Sequence, residues 1–355
     1  MKRANDLMSK ICSLENLYLA FWKARKGKNG YSYVEEYRDD LESNLFILSE
    51  ELKTGMISIG KYHYFKIYDP KERVICAAAF GERVLHHALM NVCHPVFEKY
   101  QIHDSYASRS GKGQYAALDR AMNYQNKYHW FVKMDVRKYF DSIDHETLLT
   151  LLKRKFKEEG LLQIFSKLLA TYSTAEGKGL PIGNLTSQYF ANHYLAVSDH
   201  YLKEVLRVKG YVRYMDDMVM WGDDAHDLLR SAEELKGFLS EYLKLELKPF
   251  CMNKTHFGLP FLGYVVNKDK LFLNQTSRKR LKQKLKVYEE YLMDEVWSET
   301  EYQKRTSALL ASANHADTFN LRKKFVSLRN GSRESLQPCL ARWQLEQLRS
   351  QLPGV

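Results

Sequence analysis

Residues 210–222 read GYVRYMDDMVMWG, and this stretch decides the fold and points to the chemistry. Two short apolar runs, 211–214 and 218–221, flank the adjacent carboxylates Asp216 and Asp217. The runs alternate and are rich in strand formers, so they predict a β-hairpin with the acids at its turn. Crowded carboxylates repel each other, and a divalent cation shared with a phosphate would remove that repulsion. A solvated turn that carries Asp-Asp is the alternative interpretation.

A third carboxylate, Asp135, ends the apolar run 131–135. A strand that ends there beside the hairpin would place three acids at one edge of a sheet. Mg²⁺ prefers hard oxygen ligands and keeps waters and substrate phosphates. We therefore predict that Asp135 and Asp216 bridge two Mg²⁺ ions, with the backbone carbonyl of Val136 as a further ligand and Asp217 in support. Taken alone, Asp135 is equally well explained as a strand-end cap.

The composition indicates a globular protein with a polyanionic partner. The chain has 355 residues, a net charge of +11 and a sequence pI near 9.1. A chain of this length can bury a large core and form about two or three domains. A basic surface favours nucleic acid over a membrane as the partner. The 24 tyrosines and 17 phenylalanines supply stacking faces for bases as well as core volume.

Cysteine usage and hydropathy predict a cytoplasmic protein. The five cysteines are widely spaced and odd in number, and no C-x-x-C occurs. This pattern indicates neither a disulfide framework nor a zinc site and fits a reducing compartment. No long apolar run follows the first residues or occurs elsewhere, so we expect neither a signal peptide nor a membrane span.

The order of predicted elements indicates an α+β fold with helices on one face of a sheet. Helical patterns cover residues 1–56, and strand patterns at 62–68 and 73–79 are joined by turn chemistry. A glycine-containing loop at 105–113 and a breaker-rich loop at 177–184 each precede a helix.

Basic residues at three places are candidates for phosphate contacts. Arg73, with Lys71, could pair with a triphosphate. Arg109 and Lys112 lie in the 105–113 loop, which could contact a phosphate backbone but lacks the order of a P-loop. The helix that begins near residue 275 carries a basic stripe for template–primer binding, formed by Arg278, Lys279, Arg280 and Lys282. For each set, the alternative is a solvated charged surface.

These motifs resemble those of bacterial reverse transcriptases, the group that includes group II intron and retron enzymes. The resemblance runs from about residue 60 to the carboxyl-terminal helices. Asp135 in VKMD (132–135) matches the first catalytic motif, and YMDD (214–217) matches the second. Lys254, ahead of FLGY (261–264), matches the family's lysine near the incoming triphosphate, and Lys248 is the alternative.

The resemblance implies a right-hand polymerase fold with fingers, a palm built on an antiparallel sheet with helices on one face, and a helical thumb. The implied segments are an amino-terminal helical extension (1–60), fingers (61–130), palm (131–268, with a fingers-type helical insertion around 146–180) and thumb (269–355). Phe140 matches the residue that forms the floor under the nucleotide sugar, which implies a preference for deoxynucleotides.

One departure from the usual pattern narrows the resemblance. Most bacterial relatives have Pro-Gln-Gly followed later by Ser-Pro, whereas residues 181–188 read PIGNLTSQ. An apolar residue, Gly, three residues, Ser and Gln resembles the reverse transcriptases of diversity-generating retroelements, which places Ile182 and Gln188 in the nucleotide site. The resemblance implies a template-repeat RNA copied into cDNA from dNTPs, errors opposite template adenines, and a small basic helical accessory protein.

Ile182 bears on accuracy because its side chain cannot donate the hydrogen bond of the family's glutamine. Such a bond is worth about 0.5–1.5 kcal/mol, which corresponds to roughly one order of magnitude in selectivity. The alternative is that Ile182 only fills an apolar gap. Other functions stay open at this point: a group II intron-like, retron or phage-defence reverse transcriptase, an RNA-dependent RNA polymerase, which Phe140 argues against, or a non-catalytic RNA-binding scaffold.

Overall fold

The computed structural model describes residues 3–68 and 72–319. The chain forms two compact units, one that ends at Lys254 and one that begins at Thr255. Lys71 and the part of the predicted thumb beyond residue 319 lie outside the described residues. The division into extension, fingers, palm and thumb remains a prediction.

The first unit combines helices with a two-stranded and a four-stranded sheet. Its helices are α1 (Met8–Ile11), α2 (Leu14–Arg25), α3 (Ser32–Asp39), α4 (Leu41–Thr54), α5 (Phe80–Tyr100), α6 (Gln114–Lys127), α7 (Tyr139–Ser142), α8 (His145–Lys153), α9 (Glu159–Ala170), α10 (Leu185–His200), which continues as a π-helical turn (Tyr201–Val205), and α11 (Ala225–Leu243). Its strands are β1 (Tyr62–Ile67), β2 (Arg73–Ala78), β3 (Trp130–Asp135), β4 (Gly210–Tyr214), β5 (Asp217–Gly222) and β6 (Cys251–Lys254).

The amino-terminal helices are amphipathic and bury one face each. In α2, Leu17, Ala20 and Phe21 are fully buried at the three- and four-residue spacing of one helical face. The Ser13 hydroxyl accepts a hydrogen bond from the Asn16 N–H and so caps the start of this helix. The predicted helical character of residues 1–56 is therefore confirmed over the described part of that range.

The four-stranded sheet is antiparallel throughout, in the order β4-β5-β3-β6. Met215 and Asp216 form a two-residue turn between β4 and β5, so the predicted hairpin is confirmed. Strand β3 lies between β5 and β6, with Met134 opposite Met218 and Asp135 opposite Asp217. This register brings the end of β4, the start of β5 and the end of β3 to the same end of the sheet.

Side chains alternate across this sheet, and both faces are packed. On one face, Val132, Met134 and Met218 are almost fully buried in the main core, to which α10 and α11 also contribute. On the opposite face, the Trp221 indole N–H donates to Gln125 of α6 at 2.9 Å. The predicted packing of helices on one face thus holds for α10 and α11, and α6 adds a contact on the other.

The second unit contains a small sheet and two long helices. Strands β7 (Leu259–Phe261), β8 (Tyr264–Val266) and β9 (Leu271–Leu273) form an antiparallel meander. They precede α12 (Gln275–Met293) and α13 (Glu299–Ala313). Leu281 and Leu285 of α12 form a buried cluster with Ala313. No helix in the described residues of either unit has the length and hydropathy needed to span a bilayer.

Candidate active site

The three predicted acids converge at one end of the four-stranded sheet. Asp135 and Asp217 are directly opposite each other in the β3–β5 register, so their side chains lie on the same face with Cβ atoms about 4.5–5.5 Å apart. Asp216 precedes Asp217 in the hairpin turn. The arrangement follows from the sequence because both apolar runs end at the same level of the sheet.

Two lysines neutralise this carboxylate cluster. Lys248 Nζ lies 2.6 Å from Asp135 Oδ1, and Lys133 Nζ lies 3.3 Å from Asp217 Oδ1. The second pair is close but lacks hydrogen-bond geometry, and Asp217 Oδ1 is buried without a hydrogen-bond donor among the described residues. Burial, followed by the charges of Asp135 and Asp217, raises the pKa of Asp216 to about 6.

The donor set fits a hard divalent cation. Its ligating atoms are carboxylate oxygens, one of them unsatisfied, and burial together with the neighbouring Asp135 and Asp217 raises the pKa of Asp216. No three acidic, histidine or cysteine side chains within residues 3–68 and 72–319 already stand close enough to hold an ion. An ion at Asp135 or Asp217 would compete with the lysine contacts of these carboxylates. Val136 continues β3 through a bridge to Leu247, with its side chain buried.

The predicted position of the triphosphate lysine requires a correction. Lys254 is opposite Trp130, at the far end of β3 from Asp135, and its ammonium lies 5.3 Å from the Trp130 ring centroid. Five residues of strand separate the two ends by roughly 17 Å. Lys248, the alternative in the sequence, does lie at the acids, because the Lys248 N–H donates to the Asp135 carbonyl at 2.9 Å.

Main-chain hydrogen bonds connect the other predicted nucleotide residues. The Leu180 N–H donates to the Phe140 carbonyl at 2.8 Å, and the Cys76 N–H donates to the Ile182 carbonyl at 2.8 Å. Gly183 follows with φ of 123°, and a Cβ there would lie 2.9 Å from Ile75 Cγ2. Only glycine lets the loop approach β2 this closely, which explains the glycine that follows Ile182.

Phe140 and Ile182 are both partly exposed. Gln188 of α10 is partly exposed as well, and its Oε1 accepts a hydrogen bond from the Ser108 hydroxyl at 3.1 Å. Arg73 is exposed at the start of β2, opposite Ile67. Arg73 is therefore accessible for a phosphate contact. The Gln188 side chain is already hydrogen-bonded and connects α10 to the 105–113 loop.

Arg109 has a structural role in the 105–113 loop, contrary to the prediction that it contacts the template–primer. Its guanidinium Nη2 lies 2.6 Å from Glu98 Oε1, and Nη1 donates to the carbonyls of Ile102 and Ser105 at 2.6 Å each. The side chain is only 8% exposed, so these internal partners occupy it. Lys112 is partly exposed and donates to the His103 carbonyl at 3.0 Å.

The basic stripe of α12 faces solvent in the second unit. Arg278, Lys279 and Lys282 are exposed, and Arg280 is half-buried. Because Leu281 and Leu285 occupy the buried face, the sequence pattern correctly predicted which side of this helix is charged.

Two residues of the site were missed by the sequence analysis. Arg213 of β4 and Asp199 of α10 form an ion pair at 2.6 Å in which both side chains are 0% exposed. An arginine at an inward-facing position of an apolar strand was the available signal, since a buried charge requires a buried partner. Its partner could not be identified from one sequence.

A large cavity opens beside the Ile182 loop. It occupies about 1250 Å³ between the amino-terminal helices, the β1–β2 hairpin and residues 183–185. Its walls combine aromatic rings with cationic groups. They include Tyr31, Tyr33, Tyr62, Phe65, Lys28, Lys61 and Arg83.

Comparisons with known proteins match this chain to one family. The family model described as reverse transcriptase (RNA-dependent DNA polymerase) matches residues 67–295. The putative COX1/OXI3 intron 1 protein of Saccharomyces cerevisiae is 26% identical over 223 residues, which cover 59% of this chain and 27% of the relative. The group II intron-encoded protein LtrA of Lactococcus lactis subsp. cremoris is 24% identical over 206 residues, covering 54% and 33%. This chain thus spans a third or less of the length of these two relatives.

The chain is also similar to a shorter relative and to a solved structure. Protein YkfC of Escherichia coli K12 is 23% identical over 282 residues, covering 63% of this chain and 71% of the relative. The structure of apo telomerase from Candida tropicalis is 12% identical, with a TM-score of 0.49 and coverage of 74% of this chain and 61% of that one.

Proposed function

The chain belongs to the reverse transcriptase family, and from this we propose that it extends a primer with dNTPs on an RNA template. Family membership confirms the predicted α+β, right-hand polymerase fold, and it supports the proposal of an RNA-directed DNA polymerase. The observation that carries the proposed activity is the convergence of Asp135, Asp216 and Asp217 at one sheet end. Two-metal phosphoryl transfer uses clustered carboxylates of this kind to hold its divalent ions.

Asp135, Asp216 and Asp217, with the Val136 carbonyl, would hold two Mg²⁺ ions. Bound there, the ions would activate the primer 3′-hydroxyl and neutralise the leaving pyrophosphate. Lys248, released from Asp135, would then pair with the triphosphate, as would Arg73. Phe140 would lie under the sugar and exclude a ribose 2′-hydroxyl.

Each unit, taken by itself, carries a candidate surface for nucleic acid. The cavity between the amino-terminal helices and the β1–β2 hairpin offers aromatic rings for base stacking and cations for the phosphates of a single strand. The exposed side chains of Arg278, Lys279 and Lys282 on α12 would contact the duplex backbone. Lys112 is the remaining candidate in the 105–113 loop.

Primer extension on an RNA template tests the proposed activity. Asp216→Ala should lower extension by about a hundredfold or more, the effect of losing several kcal/mol of charge stabilisation. Asp223→Ala is the matched control, because Asp223 follows the other end of β5, is 61% exposed and pairs with His129. Undiminished extension by folded Asp216→Ala would refute the metal assignment. RNA binding without extension by the wild type would favour the non-catalytic scaffold.

We further propose that the polymerase is the error-prone type found in diversity-generating retroelements. The support is the PIGNLTSQ sequence at 181–188, in which Ile182 offers no side-chain donor. The Ile182 carbonyl bond to Cys76 is a main-chain contact that a substitution leaves in place. The template-repeat RNA, the small basic accessory protein and the cytoplasmic location belong to this same proposal.

The error spectrum of the cDNA tests this finer proposal. Ile182→Gln should reduce misincorporation opposite template adenine by up to roughly tenfold, because it restores an oriented donor. Ile182→Leu keeps the side chain apolar and should leave the spectrum unchanged. If sequencing finds equal errors in all three proteins, the Ile182 explanation is wrong. A group II intron-like, retron or phage-defence enzyme then becomes the better interpretation.

A further inference from the structure

The buried side chain of Arg213 contacts the hairpin turn that carries Met215 and Asp216. Its Nε donates to Asp199 Oδ1 at 2.8 Å, and Nη2 donates to Asp199 Oδ2 at 2.6 Å. The Tyr211 hydroxyl donates to the same Asp199 at 2.8 Å. The third nitrogen, Nη1, is thereby directed to the Met215 carbonyl at 3.1 Å.

The Met215 carbonyl controls the orientation of Asp216. This oxygen belongs to the planar Met215–Asp216 peptide, so fixing it also fixes the direction of the Asp216 N–H and Cα. Met215 has φ of 55°, a left-handed conformation that is unfavourable for a residue with a side chain. Such conformations persist only where surrounding contacts enforce them.

The guanidinium itself is fixed by neighbouring elements. Asp199 and Asn192 lie seven residues apart, on the same face of α10, and Asn192 Oδ1 accepts from Arg213 Nη1 at 3.2 Å. The Arg213 main chain is also paired on its outer edge, because its N–H donates to the Asp104 carbonyl and its carbonyl accepts from the Tyr106 N–H, each at 2.9 Å. The side chain therefore connects a rigid helix to the turn that carries Asp216.

We propose that Arg213 is a positioning residue that orients Asp216 for metal binding through the Met215–Asp216 peptide, with Asp199 and Asn192 fixing the guanidinium. This inference rests on the proposed polymerase function. Arg213 has no direct contact with the reacting atoms in this role. Its removal should therefore weaken metal binding specifically and leave the KM for dNTP at saturating Mg²⁺ unchanged.

Arg213→Lys tests the inference with the charge retained. A lysine can pair with Asp199 but cannot also reach the Met215 carbonyl, because its single ammonium replaces a three-nitrogen fork. The full-length protein is titrated with Mn²⁺, and free Mn²⁺ is followed by electron paramagnetic resonance. We expect the Mn²⁺ Kd, and the Mg²⁺ concentration for half-maximal primer extension, to rise roughly tenfold.

Tyr194→Phe is the matched control. Tyr194 lies on the same helix, is fully buried and donates to a main-chain carbonyl, that of Leu243, at 2.6 Å. Removing its hydroxyl should lower stability and leave the Mn²⁺ Kd unchanged. If both variants weaken Mn²⁺ binding equally, Arg213 is merely structural and the inference is wrong.

A second variant covers the case in which Arg213→Lys does not fold. The triple variant Asp199→Leu, Arg213→Met and Tyr211→Phe removes the buried ion pair as a unit and leaves no buried charge unpaired. A wild-type Mn²⁺ Kd in either folded variant overturns the inference. Failure of the wild type itself to bind Mn²⁺ and extend a primer instead overturns the proposed function, and the positioning role with it.

Discussion

At the scale of the residue, the ionised carboxylate of Asp216 lowers the stability of the folded protein. Its pKa is raised from 3.8 to about 6, mainly by burial and then by Asp135 and Asp217. Because the folded pKa exceeds the unfolded one, the ionised carboxylate destabilises the protein fully above about pH 6. The penalty decreases as the pH falls through 6 and is absent below the unfolded pKa.

Asp216→Asn should therefore stabilise the metal-free protein at neutral pH. The pKa shift sets a ceiling of roughly 3 kcal/mol, and solvent screening reduces the expected gain to about 1–2 kcal/mol. Urea unfolding in EDTA at about pH 7.5 and about pH 4.5 measures this, with a markedly larger gain expected at the higher pH, because pH 4.5 is only slightly above the unfolded pKa. Asp223→Asn, exposed and paired with His129, is the control and should show no such gain. A destabilised Asp216→Asn at both pH values would contradict the account.

At the scale of the element, the hairpin and its partner strand were predictable because short apolar runs rich in strand formers identify strands that are packed on both faces. The identity of the edge strand was not predictable. Residues 245–248 alternate as a strand should, yet they form only a bridge from Leu247 to Val136, and β6 begins at Cys251. Strand β6 begins three residues after Lys248. Lys248 therefore lies at Asp135, and Lys254 lies at the other end of β3. The Arg213–Asp199 pair was missed for a related reason, because burial of a charged pair depends on tertiary packing.

Strand β4 can be tested at its start, where Gly210 is packed without space for a side chain. A Cβ there would lie 2.8 Å from Tyr128 Cε2 and 2.9 Å from Trp221 Cβ, so Gly210→Ala should destabilise the protein by about 1–3 kcal/mol. Gly237 in α11 has nothing within 4 Å of such an atom, and Gly237→Ala should stabilise by about 0.5–1 kcal/mol. Thermal unfolding of both variants measures the difference. Equal effects in the two variants would show that the start of β4 has room for a methyl group.

At the scale of the whole molecule, composition indicates a class of partner but not where it binds. A net charge of +11 favours a polyanion, and the proposed function makes that polyanion a nucleic acid. The individual sites differ in how far charge alone predicts them. Arg109 is as basic as Arg278, yet Glu98 and two carbonyls occupy its guanidinium, whereas Arg278 is exposed on α12. A sequence pattern reports charge, and only the fold decides which charges reach a ligand.

The salt dependence of duplex binding distinguishes a direct contribution of the basic residues on α12 from an effect of the net charge of the chain. Replacing Arg278, Lys279 and Lys282 by Ala should reduce the slope of log affinity against log salt by about 0.9 for each phosphate that is no longer neutralised. The control triple variant replaces Lys53, Arg230 and Lys236, which are ion-paired with acids three residues earlier on their own helices. Both variants remove the same net charge, but only the first should change the slope for a short RNA–DNA hybrid, measured by fluorescence anisotropy. Equal slopes in the two variants would mean that overall charge governs binding and that α12 does not contact the duplex.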